Sequence, residues 1–365
     1  MGFSDFYGNA EVVNRLRDML AHNHFPQAVI LAGPEGAGKY TLALMLTKAL
    51  NCLDPQITGG LPDFCGKCAN CTRIAQSEDL SSRVAEAIET REGLRESDKK
   101  ETRLYVQTHP DVLVIPPDPP QMMIKVDQVR RVIETIYFRP AEAKERVYIF
   151  TDSAFMKEAA NSLLKVLEEP PEFATIFLLT TNPGELLPTL RSRSMTVTLA
   201  ALSTAEIEKD LAKHRPDWNP KQRTLVARLA EGAVGRARSF DLAAYIAARA
   251  QALVLLNAAR RNDHTELFKL TETFRAGAEG REKIEALLRT TYSVLQDLMF
   301  IDSGTPQLVR NTDIQGELQR LAGLAGFAWI AQAADRLAEV ERGMRRNLMR
   351  SLSLDAFATA LESSP

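Results

Sequence analysis

The stretch Ala28-Val29-Ile30-Leu31-Ala32-Gly33-Pro34-Glu35-Gly36-Ala37-Gly38-Lys39-Tyr40-Thr41 decides the fold. Its first five residues are apolar, include β-branched members and stop at Gly33, which predicts a short buried strand. Beyond the glycines, the pattern Leu42, Leu44, Met45, Leu46, Ala49, Leu50 predicts a helix. Strand, glycine loop and helix in that order form the setting of a phosphate-binding loop. Gly33, Gly36 and Gly38 let backbone N–H groups turn toward phosphate oxygens, Lys39 adds a point charge, and the helix N-terminus adds its dipole. The spacing Gly33-x4-Gly38-Lys39 meets the Walker A pattern up to position 40. A Ser or Thr hydroxyl belongs there to ligate magnesium, and this chain has Tyr40. A phenol hydroxyl stands further out on a rigid ring and does not fill that place. Thr41 comes one residue late and is expected to face elsewhere on the helix.

The run Val147-Tyr148-Ile149-Phe150, another buried strand, leads into Thr151-Asp152 and offers the second half of a nucleotide site. Asp152 stands where a Walker B strand supports magnesium. Ser153 follows, where hydrolysing members of this ATPase class have a Glu that polarises water. A serine is no base near neutral pH. Two independent losses in one site predict that this chain does not hydrolyse ATP by itself. Binding of ATP or ADP without turnover stays open, and so does a glycine loop kept only to turn the chain.

All four cysteines fall between Cys52 and Cys71, as Cys52, twelve residues, then Cys65-Gly66-Lys67-Cys68-Ala69-Asn70-Cys71. Two consecutive Cys-x-x-Cys steps gather three thiolates around one turn, and Cys52 closes a tetrahedron suited to structural zinc. Free thiols are the alternative; a reducing compartment argues against disulfides. Four protein ligands leave no open position, so the metal is expected to be structural and not catalytic.

Further out, Val12, Val13, Leu16, Met19 and Leu20 predict a helix over 9–23 with Asn9 as its cap. From Ser77 to Tyr105 the chain is charged and apolar-poor, an exposed helical insertion or a mobile segment. A strand at Asp111–Ile115, a stiff connector at Pro116–Pro120 and a helix from Val126 to Tyr137 follow. Next come a helix from Ala159 to Glu169 halted by Pro170-Pro171, and a strand at Thr175–Leu179. Alternating strands and helices predict an α/β domain with a parallel sheet covered on both faces. Strand signals stop near Ala200. The capping box Ser203-x-x-Glu206 opens a helical subdomain running to about Phe240. Helical patterns such as Lys283–Phe300 and Phe327–Met344 fill the rest. Three domains are therefore expected, at 1–200, 201–240 and 241–365.

Composition sets the outer bounds. In 365 residues, 45 Lys+Arg balance 47 Asp+Glu, so no bulk positive field draws the chain to nucleic acid. No apolar run is read as long enough to cross a bilayer, and the start, Met-Gly-Phe-Ser-Asp-Phe, is no signal peptide. The cytoplasm is the expected compartment.

These residues resemble the clamp-loader AAA+ proteins, and within them the delta-prime subunits of bacterial DNA polymerase III. The resemblance is carried by Phe6-Tyr-Gly8-Asn9, His24-Phe-Pro-Gln-Ala28, the cysteine module and His109-Pro-Asp-Val112. It continues in Asn161-Ser-Leu-Leu-Lys-Val-Leu-Glu-Glu-Pro-Pro171, Phe177-Leu-Leu-Thr-Thr-Asn-Pro183 and Leu187-Pro-Thr-Leu-Arg-Ser-Arg-Ser194. It covers residues 3–200 firmly; the rear helices match loosely, through Arg346–Leu354. It implies an AAA+ P-loop domain with an inserted zinc module at 52–71, a helical lid and an all-helical collar. It also implies that Arg193, in Ser192-Arg193-Ser194, matches the family's Ser-Arg-Cys motif, whose arginine reaches the ATP of the adjacent subunit; Ser194 departs from the Cys. Thr181 (or Thr180) falls at the sensor-1 position, and Gly232-x-x-Gly235-Arg236 resembles the sensor-2 arginine. The implied partners are the gamma/tau and delta subunits, with the sliding clamp and primed DNA reached through the complex within the DNA polymerase III holoenzyme. No membrane is involved.

Two other readings fit parts of the sequence. A gamma/tau motor subunit shares the cysteine module and the Ser-Arg-Cys motif, but should keep the Walker hydroxyl and an acid after Asp152, and 365 residues leave no room for a long tail. A P-loop small-molecule kinase with a zinc-stapled lid explains the loop and the cysteines, but neither the helical rear nor Ser192-Arg193-Ser194.

Overall fold

The computed structural model describes residues 2–261 and 277–345, together with 354, 356–357 and 359–361. Residues 346–353 of the rear resemblance lie outside the described residues. The chain forms two compact units: one holds the chain up to Asp210 together with Glu231–Arg236, the other Leu211–Ala230 and the chain from Ala237 onward. The segment 201–240 is thus shared between the units.

In the first unit the strands are β1 (Ala28–Ala32), β2 (Gln56–Thr58), β3 (Leu61–Asp63), β4 (Val106–His109), β5 (Val112–Ile115), β6 (Arg146–Phe150), β7 (Ala174–Thr180) and β8 (Met195–Thr198). Among the described residues six of them form one sheet in the order β4-β5-β6-β7-β1-β8. Its pairs are parallel except β4 with β5, and Ile30 of β1 stands opposite Leu178 of β7 and Thr196 of β8. Every residue of β1 and β7 is buried. Alternation assigns their side chains to two cores. Val29, Leu31, Val147, Ile149, Phe177 and Leu179 meet the helix Lys39–Asn51, whereas Ile30, Tyr148, Phe150, Ile176 and Leu178 meet the helices Val126–Ile136 and Lys157–Glu168. Full burial of each such side chain contributes about 1.5–3 kcal/mol, which is why these apolar runs specify the sheet.

The charged segment after Ser77 forms the helices Leu80–Glu92, which buries no residue, and Glu96–Glu101. The hairpin β2–β3 and the edge strands β4 and β8 have no counterpart in the sequence reading. β2 is fully exposed, and β4 and β8 bury only some of their residues, so the apolar signal is weak. Asn9 holds the N-cap position, its carbonyl accepting from Val13 N at 3.0 Å, but it sits at φ 52° and its side chain makes no capping bond; its amide donates to Ala200 O at 3.1 Å while its Oδ1 accepts from Ala200 N at 2.8 Å. The Ser203 capping box forms, with Ser203 N donating to Glu206 Oε2 at 2.8 Å and Glu206 N to Ser203 Oγ at 3.3 Å.

The second unit holds the helix Pro220–Leu229 and packs Leu242–Arg261, Gly277–Asp302 and Gln315–Arg345 around a core with Leu256, Leu287, Leu298, Trp329 and Ile330. The last helix is broken at Gly326, with φ 70°, and resumes at the predicted Phe327. The reading that no run is long enough to cross a bilayer is corrected at Leu242–Arg260, which is long and apolar enough by length and composition. Half of that stretch is buried within the protein. It also holds Arg249, buried and paired with Asp313.

Candidate nucleotide cleft and cysteine cluster

The parallel strands β1, β6 and β7 end together, and a cleft of about 630 Å³ opens beyond their C-terminal ends. The glycine loop borders it with Glu35, Gly36, Gly38 and Lys39, and Asp152, Ser153, Thr181 and Glu185 face them from β6 and β7. Gly36 and Gly38 have φ of 78° and 89°, values that only glycine adopts readily. A Cβ at Gly36 would lie 2.8 Å from Arg236 N, and Gly36 O accepts from Gly235 N at 2.9 Å, so the 231–236 segment lies directly on the loop.

Lys39 does not extend into the cleft. Its Nζ donates to Gly33 O at 2.7 Å and to Pro34 O at 2.8 Å, closing the ammonium onto the loop's own carbonyls. Burial lowers its pKa, against the pull of Glu35 and Asp152. Tyr40 packs against the core below the loop and donates its hydroxyl to Ser77 O at 2.7 Å. Burial pushes this phenol far above its ordinary range. Thr41 borders the cleft, contrary to the expectation that it faces elsewhere, because it lies in the first turn of the helix that forms the cleft's floor.

On the facing side, Asp152 Oδ1 accepts from Ala154 N at 2.8 Å. The buried Ser153 donates to Glu185 Oε2 at 2.8 Å, and its Oγ lies 3.0 Å from the Thr180 hydroxyl. A carboxylate therefore stands beside the position that lacks one in the sequence, brought there by the turn Pro183–Glu185. Nothing in the local sequence marks Glu185, since its contact is with a residue 32 positions away. Both Thr180 and Thr181 border the cleft; Thr180 is buried and bonded to Ser153, whereas Thr181 is exposed. Arg236 carries its guanidinium toward Glu231, 3.5 Å away.

Arg193 is not among the residues bordering this cleft. It follows the short helix Pro188–Arg191, donating from Nη2 to Glu168 Oε1 at 2.8 Å and from Nη1 to Thr189 O at 3.2 Å, with its side chain partly exposed. Ser192 and Ser194 fix the backbone on either side, donating to Thr189 O at 3.1 Å and Leu190 O at 2.9 Å.

The sulfurs of Cys52, Cys65, Cys68 and Cys71 all lie within 4.8 Å of one another, and those of Cys52 and Cys71 are 3.7 Å apart. Metal–sulfur bonds of about 2.3 Å in a tetrahedron give sulfur–sulfur edges of about 3.8 Å, so the four residues fit a metal ion. Backbone donors surround them: Cys65 N reaches Cys52 Sγ at 3.3 Å, and Cys68 N reaches Cys65 Sγ at 3.3 Å. Burial raises the thiols of Cys52 and Cys71. At Cys68 burial opposes ionisation, but N–H donors from Cys71 and Leu53 outweigh it and bring the thiol to about 6. Behind the cluster, Asn70 donates to Asn51 O at 2.9 Å and its Oδ1 lies 3.1 Å from His109 Nε2. His109 Nδ1 accepts from Asp111 N at 3.1 Å, and Asp111 in turn accepts from the N–H groups of Ala141, Glu142 and Ala143. The His109-Pro-Asp motif therefore ties the cysteine module to the sheet edge.

A family model described as the delta subunit of DNA polymerase III matches residues 8–203, more than half of the chain. The tau subunit of DNA polymerase III from Escherichia coli is 29% identical over 242 residues, 65% of this chain and 32% of that protein. The tau/gamma subunit from Haemophilus influenzae is 27% identical over 238 residues, 65% of this chain and 29% of that protein. The chain thus spans about a third of the length of these curated relatives. A solved DNA polymerase III gamma subunit-related protein from Thermotoga maritima overlaps 96% of this chain and 98% of its own at 18% identity, with a TM-score of 0.48. The matched span takes in the glycine loop, the four cysteines and Arg193, and the chain belongs to the DNA polymerase III delta subunit family of clamp-loader proteins.

Proposed function

We propose that this chain is the delta-prime subunit of a bacterial replicative clamp loader, a non-hydrolysing member that lends Arg193 to the ATP of an adjacent subunit. The observation that carries this reading is the state of its own cleft. The magnesium hydroxyl is replaced by Tyr40, whose ring is tied to Ser77, and the acid after Asp152 is replaced by a serine. Without a metal ligand and a water-polarising base, phosphoryl transfer loses positioning and charge stabilisation together. Arg193, by contrast, lies apart from that cleft, partly exposed, with an always-charged fork suited to a γ-phosphate. The 201–240 region would serve as a lid and 241–365 as a collar joining gamma/tau and delta subunits, so that the assembly loads the sliding clamp onto primed DNA in the cytoplasm. Zinc is the metal proposed for the four cysteines, since soft thiolates in a tetrahedron suit it and no ligand position stays open.

The purified chain should hydrolyse ATP no faster than a buffer control. In the reconstituted complex, Arg193→Ala should lower DNA-stimulated ATPase by roughly 10³-fold, within the range known for arginine fingers. An unchanged rate removes the finger assignment. The similarity to tau and gamma subunits favours a motor ATPase as the second reading, and brisk turnover by the isolated chain would establish it.

A further inference from the structure

We propose that Glu168 is a positioning residue for Arg193, holding one terminal nitrogen of its guanidinium so that the remaining donors can meet a neighbouring subunit's phosphate. The inference rests on the arginine-finger reading above. Glu168 is the last residue of the helix Lys157–Glu168, where a carboxylate opposes the helix dipole. An unfavourable charge at that end is offset by a cation placed against it, and Arg193 supplies one at 2.8 Å. The contact spans 25 residues of sequence and joins the Leu163–Pro171 stretch to the Ser192-Arg193-Ser194 turn.

Of the five guanidinium donors, one goes to Glu168 and one to Thr189 O, which leaves three among the described residues to meet a phosphate. Both anchoring bonds lie on the terminal nitrogens. Ser192 and Ser194 tie the backbone on either side, and the two guanidinium bonds bias the long side chain toward one orientation before any partner arrives. Pre-set orientation matters because a misplacement of about 1 Å can cost on the order of 100-fold in rate. The pair contributes little to folding, since both side chains are substantially exposed, at 35% and 52%. Its consequence is therefore expected in turnover and not in stability.

The test is a double-mutant cycle in the reconstituted complex, reading DNA-stimulated ATPase, with assembly followed by gel filtration. Glu168→Ala should assemble normally and lower kcat by about tenfold with KM for ATP unchanged, the pattern of a contact made only in the transition state. Glu168→Gln, which keeps an acceptor oxygen, should lose less. In an Arg193→Ala background, Glu168→Ala should have no further effect, because the carboxylate acts only through the guanidinium. A normal kcat for Glu168→Ala beside a depressed Arg193→Ala would overturn the proposal while leaving the finger intact. So would an additive loss in the double variant, or a failure of Glu168→Ala to assemble. An unchanged Arg193→Ala rate would instead remove the finger reading itself.

Discussion

At Tyr40 the phenol is half-buried, packed on the core and bonded to Ser77 O, so its ring serves the fold below the loop. Replacing it by threonine would place a hydroxyl at the magnesium position of the loop pattern. Tyr40→Thr is expected to gain magnesium-dependent nucleotide binding, measurable by calorimetry with and without EDTA, and still show no turnover because Ser153 is unchanged. It should also cost about 1–3 kcal/mol of stability, through the lost ring packing and the orphaned Ser77 carbonyl, read as a lower urea midpoint. Gly36, Gly38, Lys39 and Asp152 were legible at this scale because their spacing is local. Glu185 was not: its contact with Ser153 exists only once β6 and β7 lie side by side.

The element that sets the metal chemistry is the turn from Cys65 to Cys71 together with the end of the P-loop helix at Asn51-Cys52. In the metal-free protein burial raises the thiols of Cys52 and Cys71, while hydrogen bonds lower that of Cys68. Metal binding must therefore expel protons from Cys52 and Cys71, and its affinity should rise with pH. The logarithm of the zinc association constant is expected to climb by about 2 or more per pH unit near pH 7, measured by competition with a chromophoric chelator. Zinc analysis should give about one ion per chain by the four-ligand argument. Chelation should loosen amides over 52–71 in hydrogen exchange more than those of β1 and β7, whose other face packs in a core that holds none of the cysteines. The cysteine spacing made the four-sulfur cluster readable in advance. The Asn70–His109–Asp111 chain behind it was hidden, because it joins three segments far apart in sequence.

For the whole molecule, each of the two units carries a separate core, and the second is held by a polar network as well as by leucines. Arg249 donates to Asn311 Oδ1 at 2.8 Å and to Asp313 Oδ1 at 2.7 Å, and Asn311 donates to the buried Asp297 at 2.8 Å. Arg249→Ala should destabilise the second unit by about 1–3 kcal/mol, through the lost packing of a buried arginine and its bonds to Asn311 and to the exposed Asp313. The expected signature is an early unfolding step in calorimetry, with the first unit melting at its normal temperature. The sequence alone determined the parallel α/β front, the helical rear, the glycine loop with its two defects and the clustering of the four cysteines, because each is written in residues near one another in the chain. Only the tertiary structure decided where Lys39 and Tyr40 turn, that Glu185 faces Ser153 and that Glu168 holds Arg193. Those outcomes depend on which strands and helix ends become neighbours, and that is fixed by burial across the whole domain and not by any local pattern.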